Sequence, residues 1–179
     1  MTSPAEKPET PNRETAFVAA TIQRCQEDKG LAARLRRADN PATEYQSWEW
    51  LAQKPWSVDL EKPWERLPYA TIVAAIARAK PNANGSLRLG HAISESFRTD
   101  PNREQAKARL RRLLACNDTA EACRILRPTL KLIESRVAQS LDYSRLLKQL
   151  RSFHYDAERI RAQWAQEFYR QPTTEETSA

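Results

Sequence analysis

REQAKARLRRLLACNDTAEACRILRPTLKLIESRV, residues 103–137, decides the fold. The period of its apolar residues predicts two helices separated at CNDT, residues 116–119. In the first, Ala106, Leu110, Leu113 and Leu114 recur at the three-four spacing of one helix face. Arg103, Lys107 and Arg111, four apart, form a basic stripe beside it. In the second, Ala122, Leu126, Leu130, Ile133 and Val137 make the apolar row, and Arg124, Arg127 and Lys131 the basic one. Asp118 or Thr119 can cap that helix by accepting a free backbone N–H, and Glu121 suits the positive end of its dipole. Pro128 removes one donor and crowds the carbonyl of Arg124, which predicts a kink or a restart there. Two adjacent helices, each with a basic edge, make a track for a polyanion.

The totals agree with an all-α protein. Three glycines against 11 prolines, few β-branched residues and no sustained period of two leave little room for strands. The net charge is +6, and it rises to +9 once residues 1–14 (−1) and 171–179 (−2) are set aside. Most of that charge is arginine, whose planar five-donor fork suits phosphate better than an ammonium does. Such a balance favours a nucleic-acid or acidic-protein partner. Cys25, Cys116 and Cys123 form no CxxC pair and read as reduced, structural thiols of a cytoplasmic protein. The longest apolar-leaning run, residues 69–79, is about half of the ~20 residues that span a bilayer, so no membrane is expected. The opening MTSPAEKPETPNRE lacks a basic n-region and an apolar h-region, so no secretory signal is expected.

Residues 1–13, rich in Pro, Glu and Thr, are expected to be a disordered tail. A helical N-terminal domain follows over 14–100. Its first helix carries Phe17, Val18, Thr21, Ile22 and Cys25 and is expected to stop near Lys29-Gly30, glycine taking a left-handed cap. A short helix with Leu31 and Leu35 inward leaves Arg34, Arg36 and Arg37 outside. TEYQSWEWLAQKPWSVDLEKPW, residues 43–64, then holds four of the five tryptophans. They read as core and inter-helix filler, with a base-stacking platform as the alternative. WERLPYATIVAAIARAK gives a longer helix, and Ser86 can cap a short one containing LRLGHAISESF. Gly90 inside that short helix costs about 1 kcal/mol relative to alanine, which points to a backbone passing close by. TDPN, residues 99–102, marks the candidate domain boundary. A C-terminal four-helix bundle is expected over 101–170, ending with a helix that Asp156 caps and that aligns Ile160, Trp164 and Phe168. Residues 171–179 are expected to be a flexible tail.

Catalytic chemistry has little to stand on. His91 and His154 are the only histidines, and neither has a neighbouring Cys, His or carboxylate at metal-ligand spacing. There is no Gly-rich phosphate loop, GxSxG elbow or HExxH pair, and the acidic residues are scattered singly. No enzyme, metal or cofactor is expected. Taken singly, each arginine reads as part of a solvated face with local ion pairs to Glu104, Glu121 or Glu134. As a set they are harder to dismiss, because residues 101–170 hold 15 Lys and Arg against 8 Asp and Glu.

The order of segments carries a resemblance. FVAATIQRCQEDKGLAARLRRAD, WERLPYATIVAAIARA, SLRLGHAI, the 103–137 stretch and LDYSRLLKQLRSFHYDAERIRAQWAQEFY together resemble the CasB family, over roughly residues 15–170. The ending is the most telling, with Leu141-Asp142-Tyr143, Phe153, Trp164 and Phe168-Tyr169 falling where the family has its own leucine, aspartate and aromatics. That family is the small subunit of the type I-E CRISPR surveillance complex, Cascade. The resemblance implies an all-helical, two-part, non-enzymatic protein that acts in antiviral defence. It implies as partners the subunits that carry CRISPR RNA, a second copy head to tail, and the displaced single-stranded DNA of the R-loop. By position, the family's basic groove residues fall near Arg36, Arg37, Arg66, Arg111-Arg112 and Arg124-Arg127. Lys107 and Lys131 join these nucleic-acid candidates from the basic rows themselves. The alternative is a purely architectural helical protein that docks its basic face on acidic partner subunits. A stand-alone RNA-binding regulator is a third reading, and it requires RNA affinity without any partner.

Overall fold

A computed structural model describes residues 12–101 and 103–170. The tails expected at 1–13 and 171–179 lie outside these residues, apart from Asn12 and Arg13. Eight helices run in order among the described residues, and no strand does. They are α1 (Arg13–Glu27), α2 (Lys29–Arg36), α3 (Trp48–Ala52), α4 (Pro63–Ala79), α5 (Leu89–Glu95), α6 (Glu104–Leu114), α7 (Thr119–Arg136) and α8 (Tyr143–Tyr169). Two 3₁₀ turns, Arg37–Asp39 and Glu44–Ser47, link α2 to α3. The all-α expectation stands.

The core is built around α4. Every residue from Pro68 to Ala77 is buried, so this helix is apolar all round, as befits an element enclosed by others. Its alanines let neighbours approach closely, and α7, α2, α8 and α1 all pack on it. Pro63 at the first helical position starts it without loss of a needed donor. It stops at Lys80, whose left-handed backbone (φ 52°) still donates its N–H to the Ile76 carbonyl. Against α4 and α1, Phe17 meets Tyr69 edge-on at 4.7 Å and Trp56 at 5.2 Å, while the Trp50 indole donates to Thr21 Oγ1 at 3.1 Å. The tryptophans therefore divide. Trp50 is buried and Trp56 half-buried, but Trp48 and Trp64 are exposed.

Several local expectations change. Gly30 does not end α1; Asp28 does. Its extended backbone breaks the helix, and its Oδ1 accepts the Leu31 N–H at 2.9 Å, starting α2 with Gly30 already inside it. Ser86 caps nothing. Instead Leu87 forms an isolated parallel bridge with Leu141, with Asp142 N donating to the Leu87 carbonyl at 2.9 Å. α7 does not restart at Pro128 but runs on to Arg136. Asp118 is its cap, accepting the Glu121 N–H at 2.8 Å. The final two expected helices do meet at Asp156, whose non-helical backbone (φ −140°, ψ 37°) kinks α8 where the sequence placed the start of the last helix. Gly90 behaves as its cost suggested. A Cβ there would lie 2.4 Å from the Trp164 carbonyl oxygen and 2.5 Å from the Phe168 nitrogen, so α5 and α8 touch backbone to backbone.

Candidate nucleic-acid interface

The basic row of α7 follows from its apolar one. Leu126, Leu130 and Ile133 turn toward α4, and at 100° per residue this swings Arg124, Arg127 and Lys131 to a common flank. The flank ends against the 3₁₀ turns. Lys131 Nζ lies 2.5 Å from Asp39 Oδ2, an oxygen that also takes Arg78 Nη1 at 3.2 Å. Arg78 in turn grips Glu134 through Nε at 2.5 Å and Nη2 at 2.8 Å. Two buried-side acids thus hold two cations and pin the turn after α2 onto α7.

Arg37 starts that turn, is exposed, and donates to Gln46 Oε1 at 3.0 Å. Lys131, Arg127 and Arg124 share this flank of α7, and Asp39 ties the 3₁₀ turn that Arg37 begins to its Lys131 end. Arg127 is the most sheltered of the four, and with Glu44 it lies in electrostatic reach of the buried Cys123 thiol. Arg124 is the freest, with 69% of its side chain exposed and only a 3.8 Å contact to Glu121.

Other candidates lie elsewhere. Arg66 is committed inside the fold. Its Nε donates to Glu44 Oε1 at 2.7 Å, its Nη1 to the Leu60 carbonyl at 2.6 Å, and its guanidinium lies over the Trp48 ring. Arg36 lines a groove with Cys25, Lys29 and Lys80, which Arg37 does not. On α6, Lys107 and Arg111 share Glu104, at 3.2 and 3.9 Å. Arg112, the next residue, points about 100° away from Arg111 and is exposed. Arg103 is no part of a helical stripe, because its backbone is left-handed and its Nη1 donates to Ser94 Oγ at 2.8 Å.

Asp39 and Glu44, which organise this surface, carry no sequence signal, because their partners are set by tertiary packing. Burial pushes Cys123 up to about 12 and Cys25 and Cys116 up to about 11, so all three are neutral thiols at physiological pH. Among the described residues, no group of three or more His, Cys, Asp or Glu converges as a metal site. No described helix is long and apolar enough to cross a membrane.

A family model for the CRISPR-associated protein Cse2 matches residues 31–169. Among solved structures, the chain is similar to a Cse2-family CRISPR-associated protein of Thermus thermophilus, at 21% identity and a TM-score of 0.67, covering 88% of this chain and 97% of that one. CasB of M. ruber matches at 23% identity and a TM-score of 0.65, covering 90% and 97%. CasB of Thermobifida fusca matches at 19% and 0.61, covering 88% and 98%. No curated protein matches the sequence. At these identities the likeness to solved structures establishes the fold.

Proposed function

The chain belongs to the CRISPR-associated Cse2 family, and from that premise we propose that it is the non-catalytic small subunit of a type I-E Cascade complex. In this reading it works in the cytoplasm beside the subunits that carry CRISPR RNA and beside a second copy of itself. Its task is to hold the displaced non-target strand of the R-loop. The observation that carries the reading is the row of Arg124, Arg127 and Lys131 on α7, with the turn that bears Arg37 tied to its Lys131 end through Asp39. These cations stand on helical elements. They follow phosphates without reading sequence, which a displaced strand of arbitrary sequence requires. Modest affinity suffices, because R-loop formation exchanges one duplex for another at nearly balanced free energy. Arg66 contributes to this surface by fixing Glu44 and Trp48 rather than by reaching out.

The test is a mobility-shift titration of the purified protein with a single strand and with its duplex, over a salt series. The expected result is sequence-tolerant single-strand binding whose log affinity falls with log salt at a slope of about −0.7 per phosphate neutralised. An affinity independent of salt overturns the track. The architectural reading draws support from the sheltered Arg127 and the neutralised Arg66. Reversing Arg124 and Arg127 separates the two. Loss of DNA retention with assembly intact supports the strand-holding role, and failed assembly supports docking on acidic subunits.

A further inference from the structure

A groove of about 370 Å3 opens between α1, α2 and the C-terminal end of α4. Its floor is apolar, made by Ile22, Ala32, Ile76 and Ala77, with the Cys25 thiol beside them. Its rim is basic. Lys29, Arg36 and Lys80 surround the floor, and all three are exposed. Among the described residues none of the three is held by an ion pair or a side-chain hydrogen bond. Asp28, between the two helices, is already engaged. Its Oδ1 accepts the Leu31 N–H at 2.9 Å, and its Oδ2 faces Arg24 at 3.8 Å. Elsewhere this chain compensates cations over apolar surface from within, as Glu44 does for Arg66 and Glu167 for Arg145. Here the compensating acids are missing from the chain's own neighbours.

The spacing of the rim specifies what supplies them. Lys29 and Arg36 stand at the two ends of α2, seven residues apart and so about 10 Å along the axis. One carboxylate or one phosphate cannot reach both. Two acids seven apart on a second helix can, and the same helix presents positions i+3 and i+4 between them toward the floor. A phosphodiester chain meets the rim but gives the floor no apolar group to bury, and so forgoes the stabilisation an aliphatic side chain supplies there. We propose that this groove docks an acidic amphipathic helix of a partner protein. Two of its carboxylates pair with Lys29 and Arg36, an aliphatic side chain lies on Ile22, Ala32 and Ile76, and Lys80 closes the third side. This interface goes beyond the strand-holding role and uses none of the α7 cations.

The experiment uses the full chain and a synthetic, fluorescein-labelled helical peptide with Glu at i and i+7 and Leu at i+3 and i+4, followed by fluorescence anisotropy. Saturable binding is expected, weakened about tenfold in the triple variant K29E/R36E/K80E, as the loss of two partly exposed pairs beside a third cation predicts. Replacing both leucines of the peptide by serine is expected to cost about as much. Ala32→Phe fills the floor without touching a charge and weakens binding too, and circular dichroism checks that each variant is folded. Absence of saturable binding to the unaltered protein overturns the proposal, and so does undiminished binding by the charge-reversed variant. Displacement of the peptide by an oligothymidylate also overturns it, since the groove would then be a nucleic-acid site. Single-strand DNA binding by Ala32→Phe, which alters no charge, is expected to match that of the unaltered protein, so failure of this interface and failure of the α7 track are read separately.

Discussion

Arginine does two different jobs on the two sides of α7. On the inner seam with α4, Arg78 is shared between Glu134 and Asp39, and 22% of its side chain is exposed. On the outer flank Arg124 is 69% exposed and barely touches Glu121. The same residue type, on facing elements of one core, is structural in the first place and available in the second. What separates the two is whether an acid from a distant segment has been buried against it. Composition and net charge cannot make that distinction.

The strongest way to break the comparison is at the seam. Arg78→Ala leaves Asp39 and Glu134 facing each other without their shared cation, in a site that also shelters the turn after α2. Breaking a largely buried pair from one side costs about 4 kcal/mol, to be read from urea unfolding. A loss below about 1 kcal/mol would show that the seam is no more committed than the flank. Gly90→Ala attacks the other tight seam, α5 on α8, by placing a methyl where backbone already stands. Overpacking of this kind costs about 2 kcal/mol, and the same unfolding curve reports it.

On the flank the expected effects invert. Reversal of Arg124 and Arg127 together lowers single-strand affinity about tenfold, or about 1.4 kcal/mol, and flattens the salt slope by about 1.4 as two phosphate contacts go. Stability changes less than affinity does, and Arg124→Ala alone shifts it by no more than about 0.5 kcal/mol. Denaturant midpoints measured beside the binding titration check both halves of that statement.

The thiols sharpen the contrast by chemistry. Cys123, buried on the α4 side of α7, is pushed up to about 12, and half-buried Cys25 up to about 11. Iodoacetamide at about pH 8 is expected to alkylate Cys25 slowly and Cys123 slower still, because the thiolate is the reacting form. A thiol held protonated by the fold favours the folded state at and below its ordinary value near 9, and that advantage is lost as pH climbs toward 12. A melting temperature that rises between about pH 8 and about pH 10.5 would contradict the burial.

Much of this was legible in the sequence, and the reason is periodicity. The apolar rows of α6 and α7 repeat at three and four, and the residues named from them are buried at Ala106, Leu110, Leu113, Leu126, Leu130 and Ile133. Gly90 was legible for a different reason, because a glycine inside a helix needs a cause. Asp28 was legible in principle, standing three residues before the N–H it caps, but Gly30, two residues on, offers a competing stop signal. The candidate surface was only half visible. Lys131 and Arg124 read as a row, but the acid that ties Lys131 to the turn after Arg37 comes from a segment about ninety residues away in the chain. Arg36 and Arg37 look interchangeable in the sequence. They part because the helix ends between them, one lining the groove and the other reaching Gln46.

The embrace of α8 with the earliest parts of the chain has a consequence for how the protein is made. Arg151 reaches back 137 residues to Glu14, and Phe168 closes over Gly90. A ribosome delivers residues in order, so α1 and α5 emerge long before their partner exists, and each waits with an apolar face open. The core is sealed only when the last helix leaves the exit tunnel. Synthesis is the slow step against which that exposure must be survived, and local helix formation in α4 and α7 is what the nascent chain has to hold itself together in the meantime.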